Sequence, residues 1–337
     1  MFDELGHLFV EEEVFATELD HASFREHLRR SPVPVAAADA VLFGVPFDGG
    51  SVRHYGSNEG PLGIRRAFAE FRTYSAELDR DFRDSLAVAD LGNVAVPNGR
   101  DYDPVFGAIR KTVGALVEAG KFIVMLGGDH SISFPAVGAF AQQHARPVGL
   151  IWIDNHFDTM SPLHGDPFYC GCPLRNIMRT HGDLVRPENV VHIGSRGYGN
   201  SAANARNAKE LGFSIVGVAE VERRGAAEVM HEAVAVASDG TATFWVSVDI
   251  DAADVVYAPG TQCPRPGGLT SRELTTLVRE AALAGAGGFD VVEVAPPLDR
   301  DNATCLLAAE CVLEALGAHA YGRTREAVDL GLVAAPS

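Results

Sequence analysis

Residues 147–159 read PVGLIWIDNHFDT, an apolar run that ends in two carboxylates and an imidazole. The apolar part is short and shows no polar alternation. It therefore reads as a strand covered on both faces, the kind that parallel sheets contain. The polar residues then fall at the carboxyl end of that strand. In an extended chain alternate side chains share a face, so Asp154, His156 and Asp158 are expected to point one way and Asn155 and Phe157 the other.

Runs of the same kind recur on either side: AVLFGVP (40–46), SLAVADLG (85–92), KFIVMLGG (121–128), VVHIGS (190–195), FSIVGV (213–218), TFWVSVDID (243–251) and FDVVEVAP (289–296). Between most of them lie stretches with helical period, such as DPVFGAIRKTVGALVEAG (103–120) and SRELTTLVREAALAG (271–285). Strands alternating with helices, and too apolar to have a wet face, predict an α/β fold with a mostly parallel sheet of about eight strands. Residues 1–35 read as an acidic extension ending at SPVP, and residues 36–337 as a single domain, since no linker or low-complexity tract divides them.

The chain has 337 residues, 47% of them hydrophobic, which suffices for a large core. A net charge of −17 with no basic patch excludes a nucleic-acid partner and is compatible with a cationic substrate. The five cysteines, at 170, 172, 263, 305 and 311, form neither a disulfide framework nor a pair of CxxC knuckles. The amino terminus carries acids where a signal peptide carries bases, and no run approaches a membrane span in length. A soluble cytoplasmic protein with no membrane partner is the expectation.

In open α/β sheets ligands collect at the carboxyl ends of strands. This chain places GGDH, DNHFD, DID and EVAP there, and so brings His130, Asp154, His156, Asp158, Asp249 and Asp251 to one edge. Six such ligands exceed the ordinary needs of one divalent ion and suit two. Imidazole and carboxylate without thiolate fit manganese, nickel, zinc or ferrous iron. Two ions roughly 3.5–4 Å apart can activate a water and stabilise charge on the attacked group, so the implied chemistry is hydrolysis.

GGDHSISFP, IDNHFD, SVDIDAADVVYAPGTQCPRPGGLT and VVEVAPPLD together resemble the ureohydrolase family of arginase, agmatinase and guanidino-acid hydrolases. The likeness runs from about Phe43, with FGVPFDGG and GPLGIRRA, to about Leu316. It implies a three-layer α/β/α arginase-like fold, assembly as trimers or hexamers, and a binuclear centre of manganese, with nickel as the alternative. By the family pattern His130 and Asp158 belong to one ion, His156 and Asp251 to the other, and Asp154 and Asp249 bridge them. A bridging hydroxide would attack the carbon of a small guanidinium substrate and release urea and an amine. Glu293 would accept hydrogen bonds from that cation, and His164 would shuttle a proton to the leaving amine, giving a catalytic set of Asp158, His164 and Glu293. A formiminoglutamate-type substrate releasing formamide is the alternative, and a non-catalytic metal-binding relative a third reading.

The sequence departs from the family pattern at several places. Only five residues separate His164 from Asp158, a short loop for this family. Gln262 and Cys263 stand where APGTGTP is common, which puts Cys263 among the expected substrate-pocket residues. Asn155 replaces a usual alanine. A buried amide needs partners, so it is expected to be tied to backbone or another side chain behind the ligands.

Overall fold

Each of the eight apolar runs overlaps a strand: β1 (Ala40–Gly44), β2 (Val88–Val94), β3 (Phe122–Leu126), β4 (Gly149–Ile153), β5 (Val190–Ser195), β6 (Ser214–Gly217), β7 (Phe244–Asp249) and β8 (Gly288–Val292). The computed structural model describes residues 9–10, 22–30, 32–97 and 101–329. The eight strands are parallel throughout, in the order β2-β1-β3-β8-β7-β4-β5-β6, and Phe9–Val10 adds a short antiparallel strand against Asn93 and Val94 of β2.

The helices are α1 (Phe24–Arg30), α2 (Gly60–Ala67), α3 (Tyr102–Glu118), α4 (Ser133–Gln142), α5 (Pro173–His181), α6 (Ala202–Leu211), α7 (Val218–Arg224), α8 (Ala226–Ser238), α9 (Ser271–Leu283) and α10 (Ala303–Asp329). Strand alternation divides the core into two layers. In β3, Val124 and Leu126 belong to the core layer that includes Met230 of α8, Leu277 of α9 and Val312 of α10, whereas Ile123 and Met125 belong to the layer that includes Ile109 of α3 and Val137 of α4. Both faces of the sheet are therefore covered, as the unbroken apolar strands require. In α9 the buried Leu274, Leu277, Val278 and Ala281 recur at helical spacing, and a capping box between Thr270 and Glu273 fixes its start.

One expectation changes. Among the described residues one helical stretch, Ala303–Thr324, is long and apolar enough to cross a membrane, contrary to the sequence reading; 67% of its most apolar window is buried inside the fold, because α10 packs against α9 and α2. Part of the acidic extension, 1–35, is described. Phe24 is fully buried, its ring edge-on to Phe68 at 4.9 Å and Phe82 at 5.7 Å, a burial worth ~2–3 kcal/mol. The remainder of the extension, residues 1–8, 11–21 and 31, lies outside the described residues.

Candidate metal centre

The four central strands, β3, β8, β7 and β4, deliver the site. His130 opens the turn after β3, Asp154, His156 and Asp158 follow β4, Asp249 ends β7 with Asp251 two residues on, and Glu293 follows β8. Close backbone packing brings the β3 loop in. A Cβ on Gly128 would collide with the carbonyl oxygen of Phe47, so only glycine fits before Asp129 and His130. Asp129 itself caps the turn, accepting from the backbone N–H of Ser131 at 2.9 Å and of Gly50 at 2.7 Å.

His130 Nδ1 lies 3.3 Å from Asp154 Oδ2, 3.1 Å from Asp158 Oδ2 and 3.3 Å from Asp249 Oδ2. His156 Nδ1 lies 3.1 Å from Asp251 Oδ2 and 3.6 Å from Asp154 Oδ1. One N–H cannot serve three oxygens at once, and His130 Nδ1, Asp158 Oδ2 and Asp251 Oδ1 are buried with no hydrogen-bond partner. Donor atoms about 2.1–2.2 Å from an ion and at right angles to each other lie ~3 Å apart, so these separations suit coordination better than hydrogen bonding. Two ligand groups emerge, His130–Asp154–Asp158 and Asp154–His156–Asp251, and Asp154 belongs to both through different oxygens. Asp249 approaches the first group.

The electrostatics of these groups carries the same conflict. Burial alone would push the His130 imidazole down, but Asp154, Asp158 and Asp249 outweigh it and hold it well above its ordinary range. Burial, reinforced by Asp154, pushes Asp158 up to about 7, and burial with Asp251 and Asp154 pushes Asp249 well above the carboxylate range. Asp154 goes the other way: the two imidazoles overcome its burial and hold it well below. Buried carboxylates that resist a shared negative charge are neutralised by cations.

Glu293 is buried, with a left-handed backbone at φ 64° that only the surrounding structure sustains. Its Oε1 accepts from the backbone N–H of His130 at 2.8 Å, and its Oε2 from Gln262 Nε2 at 2.7 Å. Burial, then Asp129, pushes its carboxyl up to about 8. A cavity of about 220 Å³ connects it to the cluster, lined among others by His156, Asp158, Asp251, Gln262, Cys263 and Glu293. Cys263 lines this cavity, its thiol pushed up to about 11 by burial and Asp251.

His164 is not brought to the cavity. The short loop closes on itself through reciprocal backbone bonds between Leu163 and Asp166 (3.2 and 2.8 Å), and Tyr102 Oη anchors it by donating to Asp166 at 2.7 Å. His164 is left exposed at the tip, in a left-handed conformation at φ 50°. The expected alternation also fails in detail, since β4 stops at Ile153 and residues 154–158 turn rather than extend, with Asp158 at φ 49°. Asp154, His156 and Asp158 converge by turning. Asn155 meets its expectation by half: Nδ2 lies 3.3 Å from His156 Nε2, while the buried Oδ1 has no partner.

Several supporting residues were not singled out from sequence. His130 Nε2 contacts Ser247 Oγ at 3.0 Å, and Ser247 donates to the buried Asp290 at 2.7 Å, which also accepts from Trp245 Nε1 at 2.6 Å. This chain holds the outer nitrogen of His130 and leaves Nδ1 for the centre. Trp152 stacks on the same imidazole at 4.1 Å. Arg196 donates to the carbonyls of Asp251, Ala252, Ala253, Arg265 and Pro266, clamping the turn that carries Asp251 to the loop beyond it. Asn200 brackets the β4 loop by donating to the Asn155 carbonyl and accepting from the Phe157 N–H. Ser247 and Asp290 had a signal, as polar residues inside apolar runs; Arg196 and Asn200 had none.

The model of the Arginase family matches residues 38–317. Agmatinase, mitochondrial, from Gallus gallus is 35% identical over 85% of this chain and 83% of its own length. Formimidoylglutamase from Halalkalibacterium halodurans is 35% identical over 82% of this chain and 85% of its own. Among solved structures, proclavaminate amidino hydrolase from Streptomyces clavuligerus superposes with a TM-score of 0.79 at 29% identity, covering 90% of this chain and 98% of that one.

Proposed function

The chain belongs to the arginase family, and we propose that it hydrolyses a small guanidino compound to urea and an amine, R–NH–C(NH2)2⁺ + H2O → R–NH3⁺ + urea. It is a hydrolase of linear amidine C–N bonds, as members of that family are. The observation that carries the reading is the convergence of two imidazole Nδ1 atoms and four carboxylates beside Glu293, at the end of one buried sheet.

The residues present fit two divalent ions, held by His130, Asp154, Asp158, His156, Asp249 and Asp251. Manganese is our first assignment and nickel the alternative, because the set mixes nitrogen and oxygen without thiolate. Bound ions supply an acidified water as nucleophile and neutralise charge that develops on the attacked carbon's substituents. The protein's own groups do the rest. Glu293 keeps unused lone pairs on both oxygens, which orient the planar cation by charge-assisted hydrogen bonds. Asp158 Oδ1, the oxygen turned away from His130, is assigned the proton transfer to the departing nitrogen. His164 receives no proton in this scheme, since its loop holds it outside the cavity. With Nδ1 of His156 committed to the centre, Nε2 keeps its hydrogen, and Asn155 turns its Oδ1 to accept it, which satisfies the orphaned oxygen.

The trimeric or hexameric assembly that the resemblance implies belongs to the same proposal, as does the cytoplasm, supported by five unpaired cysteines. Metal-loaded protein assayed on a panel of guanidino and formimino compounds tests the reading. Urea from guanidino compounds is the expected product; formamide alone would replace the reading with its alternative.

A further inference from the structure

We infer that Arg53, at the open end of the cavity, pairs with a carboxylate on the far end of the substrate, so that the compounds hydrolysed best are guanidino acids and not guanidino amines. This rests on the hydrolase reading above and narrows its substrate class. Arg53 is exposed and lines the same cavity as Asp158, Asp251 and Glu293, which are buried. Among the described residues it is the one lysine or arginine that lines it. Its guanidinium lies beside the thiol of Cys263, another residue of the cavity wall, and by hydrogen bonding holds that thiol below where burial alone would put it. None of the described carboxylates forms an ion pair with Arg53.

The loop that carries Arg53 follows β1 and is tied down at both ends. Gly50 donates its N–H to Asp129 at 2.7 Å and accepts from the N–H of Cys170 at 3.0 Å, and Asp48 accepts from the N–H of Gly56 at 2.9 Å. Asp129 precedes the first histidine of the metal cluster, and Cys170 lines the cavity. The loop is thus fastened to the segments that build the site, with the Arg53 side chain left uncommitted to any acid.

Charge is divided along the cavity. At the buried end Asp158, Asp249 and Asp251 serve the ions and Glu293 the guanidinium, which leaves none of the four carboxylates that line the cavity for a second cation on the substrate. At the open end Arg53 repels the ammonium of a guanidino amine. It suits a carboxylate, with which a planar guanidinium forms paired N–H···O bonds. Val52, Met160 and Leu163 add apolar surface to the wall, as a methylene chain between the two charges requires. Attraction of one end group and repulsion of the other act together, which is how charged sites separate otherwise similar ligands.

The test uses wild-type holoenzyme and Arg53→Gln, Arg53→Lys and Arg53→Glu, each checked for metal content. Urea release gives kcat/KM on three guanidino compounds of equal chain length, one ending in a carboxylate, one in a methyl group and one in an ammonium. Wild type is expected to favour the acid over the amine at least about tenfold, the yield of one charge-assisted hydrogen bond. The acid-to-methyl ratio is expected to fall about tenfold in Arg53→Gln and to be partly restored in Arg53→Lys, and the acid-to-amine ratio to invert in Arg53→Glu. A wild type that favours the amine overturns the inference, as do variants in which all three rates fall together and the ratios stay fixed. Urea is still made in both of those cases, so the proposed function survives them. If metal-loaded wild type releases no urea from any of the three, the proposed function fails and the inference with it.

Discussion

The backbone N–H of His130 donates to Glu293 Oε1 at 2.8 Å, so the first histidine of the metal cluster and the carboxylate proposed to hold the substrate share one hydrogen bond. Chemistry and recognition are thereby locked into one frame, from the ends of β3 and β8. Glu293→Gln preserves the shape and a carbonyl oxygen for that bond but removes the charge. Charge-assisted hydrogen bonds contribute ~1.5–3 kcal/mol each, so kcat/KM on a guanidino substrate is expected to fall on the order of a hundredfold with metal content unchanged. Unaltered kcat/KM would remove Glu293 from substrate binding.

Metal affinity should fall as pH falls. Both imidazoles are held above their ordinary range in the metal-free fold, despite burial, by the carboxylates around them. A raised folded pKa means that protonation stabilises the metal-free fold fully below the unfolded value of about 6.5, and that this contribution is lost as pH rises through the folded value. An ion must displace those protons, and those that burial keeps on Asp158 and Asp249, so binding releases protons and tightens with rising pH. Calorimetric titration in two buffers of different ionisation enthalpy reads the release directly; a buffer-independent heat would contradict it.

His164 and Asp158 should behave oppositely. His164→Ala is expected to keep kcat within about threefold of wild type, since the residue is exposed and outside the cavity wall. Asp158→Asn is expected to lose at least about a hundredfold in kcat, the ordinary yield of a positioned proton-transfer group. A large loss in His164→Ala, with metal content intact, would show that the 159–171 loop closes inward during turnover.

Away from the site, His319 lies stacked on Phe122 with ring centroids 4.2 Å apart, and burial, helped by Arg323, pushes its imidazole down to about 4. A depressed histidine pKa leaves its stability contribution whole above about 6.5 and removes it as pH falls toward the folded value. Wild type should therefore lose up to ~3 kcal/mol relative to His319→Phe between pH 6.5 and 4, an upper limit because the ring is partly exposed. Parallel urea-denaturation curves across that range, with a constant gap between the two proteins, would refute the assignment.

The strands and the cluster of acids and imidazoles at their ends could be read from sequence for a physical reason. A parallel sheet covered on both faces demands unbroken apolar runs, and acids at the ends of four such runs are conspicuous against them. Loop geometry left no comparable trace. Asp154, His156 and Asp158 were grouped correctly on a mistaken picture of an extended strand, because turning and alternation place the same three side chains together. His164 failed because the motif around it survives while the Leu163–Asp166 turn takes it away. Gln262 was visible only as a departure from a pattern; its contact with Glu293 spans 31 residues of sequence and depends on how two loops meet.

Asp154 is the residue on which the two halves of the centre depend, since its Oδ2 faces His130 and its Oδ1 faces His156. The most direct test is urea release by manganese-reconstituted wild type and Asp154→Ala, with metal content measured on the same samples. The account predicts about two ions per chain and urea from wild type, against fewer ions and no urea from the variant. Full urea release by Asp154→Ala would contradict it.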